Sequence, residues 1–374
     1  MVKLKEYLIL NETKVKPSKT PNINYKVLGV NNEVGVFINE SLNAEETNQS
    51  YFIVKKNEIC YNPYRINVGS IGLNMFDYNN QIVSGAYIVF ACYEDRLNPK
   101  YLEALFKSKI FLRYVNEKAN GGVRMNFTFE HIEKWEIPLP TIDEQKEIVT
   151  QLEKHKTVIK GVDSVLKNWD VDDFLDLTAS EEAIGNIAKV DGQMVKDENL
   201  LAMKEELYVG GENIETGTGR LVGLKTVCDN GIVGPSYIFK SGQIIYSKVR
   251  PNLRKGFYST FKGICSSDIY PLTIFNKNVL PEYFATILQS KYFASKTQVF
   301  QDRAGMPKIN REQLYTVNVA IPSKNIQRQI LIELNTQIEI LEGLRKIQAQ
   351  AKKRIRMILT DIWGLGLIEE KQED

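Results

Sequence analysis

Two stretches of the chain place apolar residues on one helical face at alternating steps of four and three. One stretch starts at Ile148 and the other at Ile330. Such steps repeat every seven residues, which is the spacing of a coiled-coil seam. The seam positions are Ile148, Leu152, His155, Ile159, Val162 and Leu166 in the first stretch and Ile330, Leu334, Gln337, Leu341 and Leu344 in the second. The pattern predicts two long amphipathic helices.

An apolar stripe at helical spacing is also typical of a helix that packs only on its own globular domain, and the pattern leaves this alternative open. Two features favour pairing of the helices with each other. His155 and Gln337 are polar residues at equivalent seam positions, and a polar seam residue can fix register. Gly161 and Gly343 are also equivalent and would allow the two backbones to approach closely, despite the low helix propensity of glycine.

The region before each helix alternates between strand-like and helix-like patterns. In the first half, β-branched and aromatic runs bounded by turn formers predict strands over Ile23–Val30, Glu33–Ile38 and Ile82–Phe90. Asn98-Pro99 is a good helix start, and the pattern predicts a helix to about Lys118 that ends near Gly121-Gly122. A short strand over Trp135–Leu139 follows.

The two halves of the chain are copies of one unit. Residues of the second half match the first at an offset of 182, and the offset becomes 185 upstream, where a loop differs in length. The matched pairs include Tyr101 with Tyr283, Gln145 with Gln327 and Ile148 with Ile330 at 182, and Tyr61 with Tyr246, Arg65 with Arg250 and Asn67 with Asn252 at 185. We therefore predict an α+β chain with two repeated mixed α/β domains and two long helices.

The repeat defines the predicted segments. A first domain (1–140), a first long helix (141–170) and an acidic linker (171–182) precede the second copy. The second copy comprises a domain (183–322), a second long helix (323–363) and an acidic tail (364–374).

Composition narrows the class of protein. The formal net charge is only +2 in 374 residues, so nucleic acid would have to be bound through local basic patches. There is no apolar run of membrane-spanning length and no signal-peptide pattern, so we expect a cytoplasmic location. The four cysteines form no CxxC pair, which makes a zinc site or a disulfide framework an unfavourable interpretation. We expect no metal and no cofactor in this chain.

Catalytic motifs are incomplete. Asn62-Pro63-Tyr64 lacks the second proline of an amino-methyltransferase loop, and the chain has no GxxxxGK[ST] phosphate loop. Glu144-Gln145-Lys146 imitates a nuclease Glu-x-Lys motif, but its place at a helix start is better explained by the helix dipole. We expect no catalytic residue in the chain.

The order of these segments resembles the specificity subunit of type I restriction–modification systems, which act in host defence. The resemblance rests on the helix entry over 137–153, on the loop over 121–132, on their second-copy equivalents over 320–334 and 304–314, and on KVRPNLRKGF at 248–257. Each motif alone is moderately specific, but the same order occurs twice and covers nearly the whole chain. The second helix entry, SKNIQRQ, lacks the acidic pair Asp143-Glu144 of the first. The two surfaces that would dock partner subunits therefore differ in charge.

The resemblance implies a fold and a set of partners. The two domains would be target recognition domains, each for one half of a bipartite double-stranded DNA site. The long helices would form an antiparallel coiled coil with pseudo-twofold symmetry, set the half-site spacing and dock two methyltransferase subunits. Methylation of adenine with S-adenosylmethionine, and DNA cleavage with ATP and Mg²⁺, would belong to the methyltransferase subunits and to the restriction/translocase subunits. No membrane partner is implied.

Candidate DNA contacts cluster in the second copy. The segment over 243–262 carries cations without an acidic residue, which suits phosphate contact, although a solvated strand-turn face gives the same pattern. Arg65 and Asn67 match Arg250 and Asn252 and are interpreted as shared scaffold or phosphate contacts. Lys248, Arg254 and Lys255 have no basic equivalents and are candidates for base contacts. The glycine-flanked loops with Arg124, Arg303 and Lys308 are a second candidate surface.

Two alternatives remain from the sequence. One is the recognition subunit of a type IIB-like enzyme, whose partner chain carries both methyltransferase and nuclease. The other is a coiled-coil scaffold that does not bind DNA, which leaves the basic segment over 243–262 unexplained.

Overall fold

The computed structural model describes residues 1–20, 22–32, 34–43, 47–119, 126–300 and 307–364. The chain divides into two compact units. Unit 1 contains residues 1–162 and 346–374, and unit 2 contains residues 163–345. Below, domain 1 denotes residues 1–140 and domain 2 denotes residues 183–322.

Most strands are short and carry alternating or wholly buried apolar residues, as the patterns at 23–38 and 82–90 predict. The strands of unit 1 are β1 (Val2–Lys3), β2 (Leu8–Leu10), β3 (Lys14–Val15), β4 (Asn24–Asn31), β5 (Gly35–Asn43), β6 (Tyr51–Ile53), β7 (Ile59–Tyr61), β8 (Ile71–Leu73), β9 (Gln81–Ser84), β10 (Ile88–Cys92) and β11 (Glu136–Ile137). The strands of unit 2 are β12 (Glu181–Ala183), β13 (Ala188–Val190), β14 (Gln193–Val195), β15 (Leu207–Val209), β16 (Lys225–Thr226), β17 (Ser236–Phe239), β18 (Ile244–Ser247), β19 (Gly256–Tyr258), β20 (Gly263–Ser266), β21 (Ile269–Ile274) and β22 (Asn318–Ala320).

Apart from α5, the helices follow the same repeated order in both halves. They are α1 (Pro99–Phe106), α2 (Lys109–Ala119), α3 (Phe129–Lys134), α4 (Ile142–Asn168), α5 (Asp197–Leu201), α6 (Pro281–Leu288), α7 (Lys291–Thr297), α8 (Arg311–Thr316) and α9 (Lys324–Ile362). The two long helices start at equivalent positions, since 324 − 142 is 182, but α9 has 39 residues and α4 has 27.

The two units share one sheet topology. In unit 1 the sheets have the strand orders β1-β11, β2-β10-β7-β8 and β3-β6-β9-β4-β5. In unit 2 the corresponding orders are β12-β22, β13-β21-β18-β19 and β14-β17-β20-β15-β16. Even the parallel pairing recurs, between β4 and β9 in one unit and between β15 and β20 in the other. The repeat in the sequence is therefore a repeat of the fold.

Each unit has an aromatic-rich core beneath its central sheet. Tyr61, Phe90 and Tyr101 are fully buried in unit 1, and Tyr246, Tyr283 and Phe293 are fully buried in unit 2. Burial of such large side chains supplies most of the favourable free energy of each core. Cys60, Cys92 and Cys265 are buried and Cys228 is exposed, and all four thiols are free.

Two predicted elements are interrupted. The helix predicted from Pro99 to about Lys118 is divided at Ser108, whose hydroxyl donates to the Leu105 carbonyl and accepts from the Phe111 amide, so it ends α1 and caps α2. The strand predicted over Ile82–Phe90 is divided by a turn closed by the Tyr87 amide and the Ser84 carbonyl. Both breaks come from local hydrogen bonds that the apolar pattern does not reveal.

The predicted acidic linker is an ordered part of unit 2. It forms a 3-10 turn over Val171–Phe174, and β12 starts at Glu181, inside the predicted linker. Val171 is buried, and Phe174 and Leu175 pack on the core of unit 2. The carboxylate of Asp172 accepts hydrogen bonds from the amides of Lys291 and Tyr292 at the start of α7. These apolar residues explain why the acidic segment packs on the core of unit 2 and does not remain in solvent.

Candidate nucleic-acid interface

The same backbone hydrogen bond forms in both domains. In domain 2 the Ile309 amide donates to the Lys248 carbonyl at 3.0 Å, and in domain 1 the Phe127 amide donates to the Pro63 carbonyl at 3.0 Å. These bonds are equivalent, since 309 − 127 is 182 and 248 − 63 is 185. In each domain, the loop before the third helix (α3 or α8) therefore returns to the segment that follows β7 or β18. The two surfaces that the sequence treats as separate candidates are joined.

Lys248 lies at the base of this contact in domain 2. Its ammonium donates to the Ser267 carbonyl at 2.8 Å, lies 3.8 Å from the Asp268 carboxylate and stands 5.2 Å from the centre of the Tyr270 ring. Partial burial lowers the pKa of Lys248, and the nearby charges of Lys308 and Arg311 lower it further, against the opposing effect of Asp268. A lysine whose pKa is lowered by other cations marks a local concentration of positive charge.

Arg250 extends this positive surface outwards. Its backbone has φ of 49°, a left-handed conformation that costs a non-glycine residue about 1–2 kcal/mol. The Arg250 amide is held by the Pro307 carbonyl at 2.8 Å. The Arg250 side chain and Asn252 beside it are exposed. Arg254 has a similar left-handed backbone, with φ of 52°, so exposure and not strain distinguishes Arg250.

Lys308 and Arg311 complete the surface, which we call the basic ribbon (Lys248, Arg250, Lys308 and Arg311). Both side chains are exposed, and the Lys308 ammonium pairs with the Asp268 carboxylate at 2.9 Å. Arg311 was missed by the interpretation of the sequence. Its place three residues after Lys308, at the start of α8, could have indicated that the two cations lie on one surface. Asp268 neutralises only part of the charge of these cations.

Arg254 does not belong to the basic ribbon. Its guanidinium donates to both oxygens of Asp170, at 3.1 and 2.9 Å, and only 16% of its side chain is exposed. Although burial alone would raise the pKa of Asp170, hydrogen bonds from Asp172 and Lys291 and the charge of Arg254 lower it to about 2. The Arg254 side chain is therefore used within the fold and is not free to reach a base edge in this conformation.

Lys255 and Lys262 are also engaged within unit 2. The Lys255 ammonium donates to the Gly211 carbonyl, and the exposed Lys262 pairs with Glu206 at 2.8 Å. Lys255, like Arg254, is therefore used within the fold and is not placed to contact a base in this conformation. Arg124 and Arg303, the other predicted contacts, lie outside the described residues.

Domain 1 presents a cleft beside Arg65. The cleft has a volume of about 430 Å³ and lies along the β4–β5 hairpin. Its polar lining includes Asn31, Asn32, Asn39, Glu40 and Arg65, together with Tyr51 and Tyr87. Arg65 is exposed and Asn67 is half-buried. Amide side chains in a concave surface provide both donors and acceptors, which is the chemistry needed to recognise base edges.

The asparagines of this cleft were missed by the interpretation of the sequence. Alternation along β4 and β5 places polar side chains on one face, but alternation alone does not distinguish a solvated face from a binding face. The cleft beside Arg65 indicates a binding face. The cleft is lined by residues from 84–87 as well as by the hairpin, so alternation along the hairpin alone could not predict it.

All predicted seam positions of α4 and α9 are at least partly buried. Leu152, Val162, Ile330, Leu334 and Leu341 are buried, and Ile148, His155, Ile159, Leu166, Gln337 and Leu344 are half-buried. The start of each helix packs on its own domain, through Ile148 in unit 1 and through Ile330 and Leu334 in unit 2. The end of α9 packs in unit 1, where the ring of Trp363 lies 5.6 Å from that of Trp135. Packing on the parent domain therefore accounts for the first turns of each seam.

In the described part of the chain, no cluster has three or more His, Cys, Asp or Glu side chains suited to a metal ion. Within the same residues, none of the helices combines the length and the apolar character needed to cross a membrane.

Comparison with known proteins identifies the family. The model of the type I restriction modification DNA specificity domain matches the chain twice, over residues 1–166 and 185–353. A relative from Escherichia coli, the type I restriction enzyme EcoDI specificity subunit, is 28% identical over 156 residues. That alignment covers 42% of this chain and 34% of the relative, so the chain matches about a third of that protein.

Solved structures share the fold over nearly the full length. A chain from a structural study of complex assembly and conformational transition of the type I R-M system superposes with a TM-score of 0.57 at 15% identity, covering 97% of this chain and 96% of that one. The S subunit of a type I restriction–modification system from M. genitalium superposes with a TM-score of 0.53 at 15% identity, covering 96% of this chain and 95% of that one. The predicted class of two repeated mixed α/β domains with two long helices is confirmed, and the chain belongs to the type I restriction modification DNA specificity family.

Proposed function

We propose that this chain reads DNA sequence for a type I restriction–modification complex, with one half of a bipartite site read by each domain. The observation that carries the proposal is the contact built by equivalent hydrogen bonds in both domains, Phe127 to Pro63 and Ile309 to Lys248. It joins the loop before the third helix to the segment that presents Arg65 in domain 1 and Arg250 in domain 2. The same scaffold with different side chains suits two readers of different sequences.

The basic ribbon of domain 2 is proposed to contact phosphates. Arg250, Lys308 and Arg311 are exposed, and the charges of Lys308 and Arg311 lie close enough to lower the pKa of Lys248. Each phosphate that a cation neutralises releases counterions, so such contacts give affinity without sequence preference. Asn67 and Asn252 remain proposed shared contacts, and Asn32 and Asn39 of the domain 1 cleft are proposed base contacts.

The two long helices are proposed to pair antiparallel, to set the distance between half-sites and to dock two methyltransferase subunits. The partial or full burial of every predicted seam position supports pairing beyond the first turns. The exposed Asp143-Glu144 pair at the start of α4 has no acidic equivalent at the start of α9, so the two docking surfaces would differ.

We propose no catalytic residue in this chain. Methylation of adenine and cleavage of DNA would be performed by methyltransferase and restriction/translocase subunits, which would hold S-adenosylmethionine, ATP and Mg²⁺. The name of the Escherichia coli relative, a specificity subunit of a restriction enzyme, supports this division of roles. Such a complex would act on DNA in the cytoplasm.

The test is a map of methylated adenines in host DNA. The chain is co-expressed with the methyltransferase subunit of its own system, and the control omits the chain. We expect methylation at one bipartite motif with a fixed gap, and only when the chain is present. Methylation that does not depend on the chain would reject the proposal and favour the scaffold that does not bind DNA. A partner that carries methyltransferase and nuclease in one polypeptide would favour the type IIB-like alternative.

A further inference from the structure

A small hairpin of domain 2 stands between the long helix α9 and the segment that carries Arg250. The hairpin spans residues 214–221 and is closed by a β-bridge between Ile214 and Leu221. Ile214 is fully buried in a cluster with Phe239 and Phe257, so the base of the hairpin is anchored in the core. A second bond, from the Glu215 amide to the Arg220 carbonyl at 2.8 Å, fixes the turn. The hairpin is therefore a rigid projection.

Close packing fixes the tip of the hairpin as well. Gly219 has φ of 65°, and a Cβ at this position would lie 2.4 Å from the Gly256 carbonyl oxygen. Only glycine satisfies both the backbone conformation and the space. The Gly217 amide donates to the Arg254 carbonyl at 3.2 Å. The tip thus rests directly on the segment that follows Arg250.

Four charged residues join this hairpin to α9. Glu215 and Arg220 come from the hairpin, and Glu342 and Arg345 come from the helix. The Arg345 guanidinium lies 2.7 Å from Glu215 and 3.0 Å from Glu342. Arg220 lies 2.8 Å from Glu342 and 3.9 Å from Glu215. Each charge therefore has two partners of opposite sign, and the four form a closed network.

A closed network has consequences that a single surface ion pair lacks. Isolated exposed pairs contribute little to stability, because holding two long side chains costs conformational entropy. Here Arg345 is only 19% exposed, and Thr218 also donates to Glu215, so the side chains are held from several directions. Because each side chain has two contacts, the network fixes both the distance between the hairpin and α9 and the rotation of the hairpin about the axis of α9.

The segment that carries Arg250 is held at a second point. Arg254 pairs with Asp170, which lies two residues beyond the end of α4 at Asn168. Lys255 donates to the Gly211 carbonyl just before the hairpin. The positions in α4 that correspond to Glu342 and Arg345 at the offset of 182 are Lys160 and Asp163, so the charge order is reversed in the first helix. The charge pattern of α9 thus suits the hairpin of domain 2 in particular.

We propose that Glu215, Arg220, Glu342 and Arg345 are positioning residues that fix the orientation of the basic ribbon relative to α9. The inference rests on the proposed function, because it assigns these residues the task of holding the second reading surface at one distance along DNA. Weakening the network should leave the bases of each half-site unchanged and relax the gap between them. The network itself contacts no base.

The test compares methylation of synthetic DNA sites whose gap is native, one base pair shorter or one base pair longer. Each variant is assayed in complex with the methyltransferase subunit, after its thermal unfolding has been measured. Arg345→Met keeps the length of the side chain and removes the charge, whereas Arg345→Lys keeps the charge. The matched control is Glu339→Gln, a change at an exposed position of the same helix.

We expect Arg345→Met to lower the preference for the native gap about fivefold, the factor that corresponds to an ion-pair contribution at the upper end of the surface range. Arg345→Lys should restore most of that preference, and Glu339→Gln should match the wild type. An Arg345→Met complex with an unchanged gap preference would overturn the inference. If Arg345→Met does not assemble, Glu215→Gln is measured in the same way, because it removes the partner on the hairpin and leaves α9 unaltered. Absence of methylation by the wild type would instead reject the proposed function.

Discussion

Gln145 and Gln327 occupy the same buried cage of hydrogen bonds in the two units. The Gln145 side chain donates to the Arg96 and Pro140 carbonyls and accepts from the Asn98 amide. Gln327 donates to the Asn278 and Pro322 carbonyls and accepts from the Leu280 amide. Every partner is shifted by 182 residues, and both glutamines are fully buried. This cage ties the start of α4 to the start of α1, and the start of α9 to the start of α6.

Loss of either glutamine should therefore lower the free energy of unfolding, and the two losses should be similar in size. Gln145→Ala and Gln327→Ala each remove the side-chain partner of two carbonyls and one amide in partly or fully buried surroundings, at an expected cost of about 2–4 kcal/mol in the free energy of unfolding. Chemical denaturation measures the change. Gln151→Ala and Gln329→Ala, at exposed positions of the same helices, are the controls. Equal stability of the cage variants and their controls would contradict the structural role.

Arg250→Ala should weaken DNA binding on every sequence. If Arg250 neutralises one phosphate, its loss reduces the slope of log affinity against log salt concentration by about 0.9. The measurement is a salt titration of the complex with methyltransferase, on a cognate and on an unrelated duplex. Lys262→Ala is the control, because Lys262 belongs to the same predicted basic segment but pairs with Glu206. A change in preferred bases with an unchanged salt slope would assign Arg250 to base reading.

Because of Asp170, the free energy of unfolding should fall at acid pH. Its pKa in the folded chain, about 2, lies below the usual value of about 3.9 in an unfolded chain, so the charged form stabilises the fold. That contribution is fully present above about pH 5 and is lost as the pH falls towards 2. The stability difference between the wild type and Asp170→Asn should therefore shrink over this range. Denaturant unfolding at several pH values measures it.

Asp173→Asn changes an exposed neighbour in the same segment and serves as the control. A difference between the wild type and Asp170→Asn that stays constant from pH 5 to pH 2 would show that Asp170 gains nothing from Arg254 and Lys291.

Asn39→Ala should alter the reading of one half-site only. Asn39 is exposed on β5 and lines the domain 1 cleft, and a bidentate amide contact to a base contributes about 1–3 kcal/mol of discrimination. Methylation mapping of the variant should therefore show relaxed preference in one half of the motif. Asn24→Ala, at the open end of the same hairpin and away from the irregularity that contains Asn39, is the matched control. Relaxation in both halves, or in neither, would exclude Asn39 as a base contact of domain 1.

The repeat was the most informative feature of the sequence because it does not depend on local propensity. Matching residues such as Gln145 and Gln327 make matching bonds, so the offset of 182 predicted the equivalence of the cores. Helix starts were also predictable, since Asn98 caps α1 through its side chain as expected. The division of the helix at Ser108 was not, because apolar residues continue with helical spacing on both sides of the break.

The candidate site was less predictable, because charge in a sequence does not reveal how each charge is used. Arg250 and Arg254 stand four residues apart in one basic segment, yet the first is exposed and the second is paired with Asp170. Asp170 lies 84 residues away from Arg254 along the chain, so only the fold brings them together. Likewise, Lys248 and Lys308 became one surface only through the backbone bond between Lys248 and Ile309.

The most direct measurement for the central claim, that two independent readers occupy one chain, is an exchange of one domain. Residues 183–320 are replaced by the corresponding domain of another member of the family, and methylated adenines are mapped for the parent and the chimaera with the same methyltransferase. The account predicts a bipartite motif in which one half-site changes and the other is retained. A motif that changes in both halves, or that stays the same in both, would contradict it.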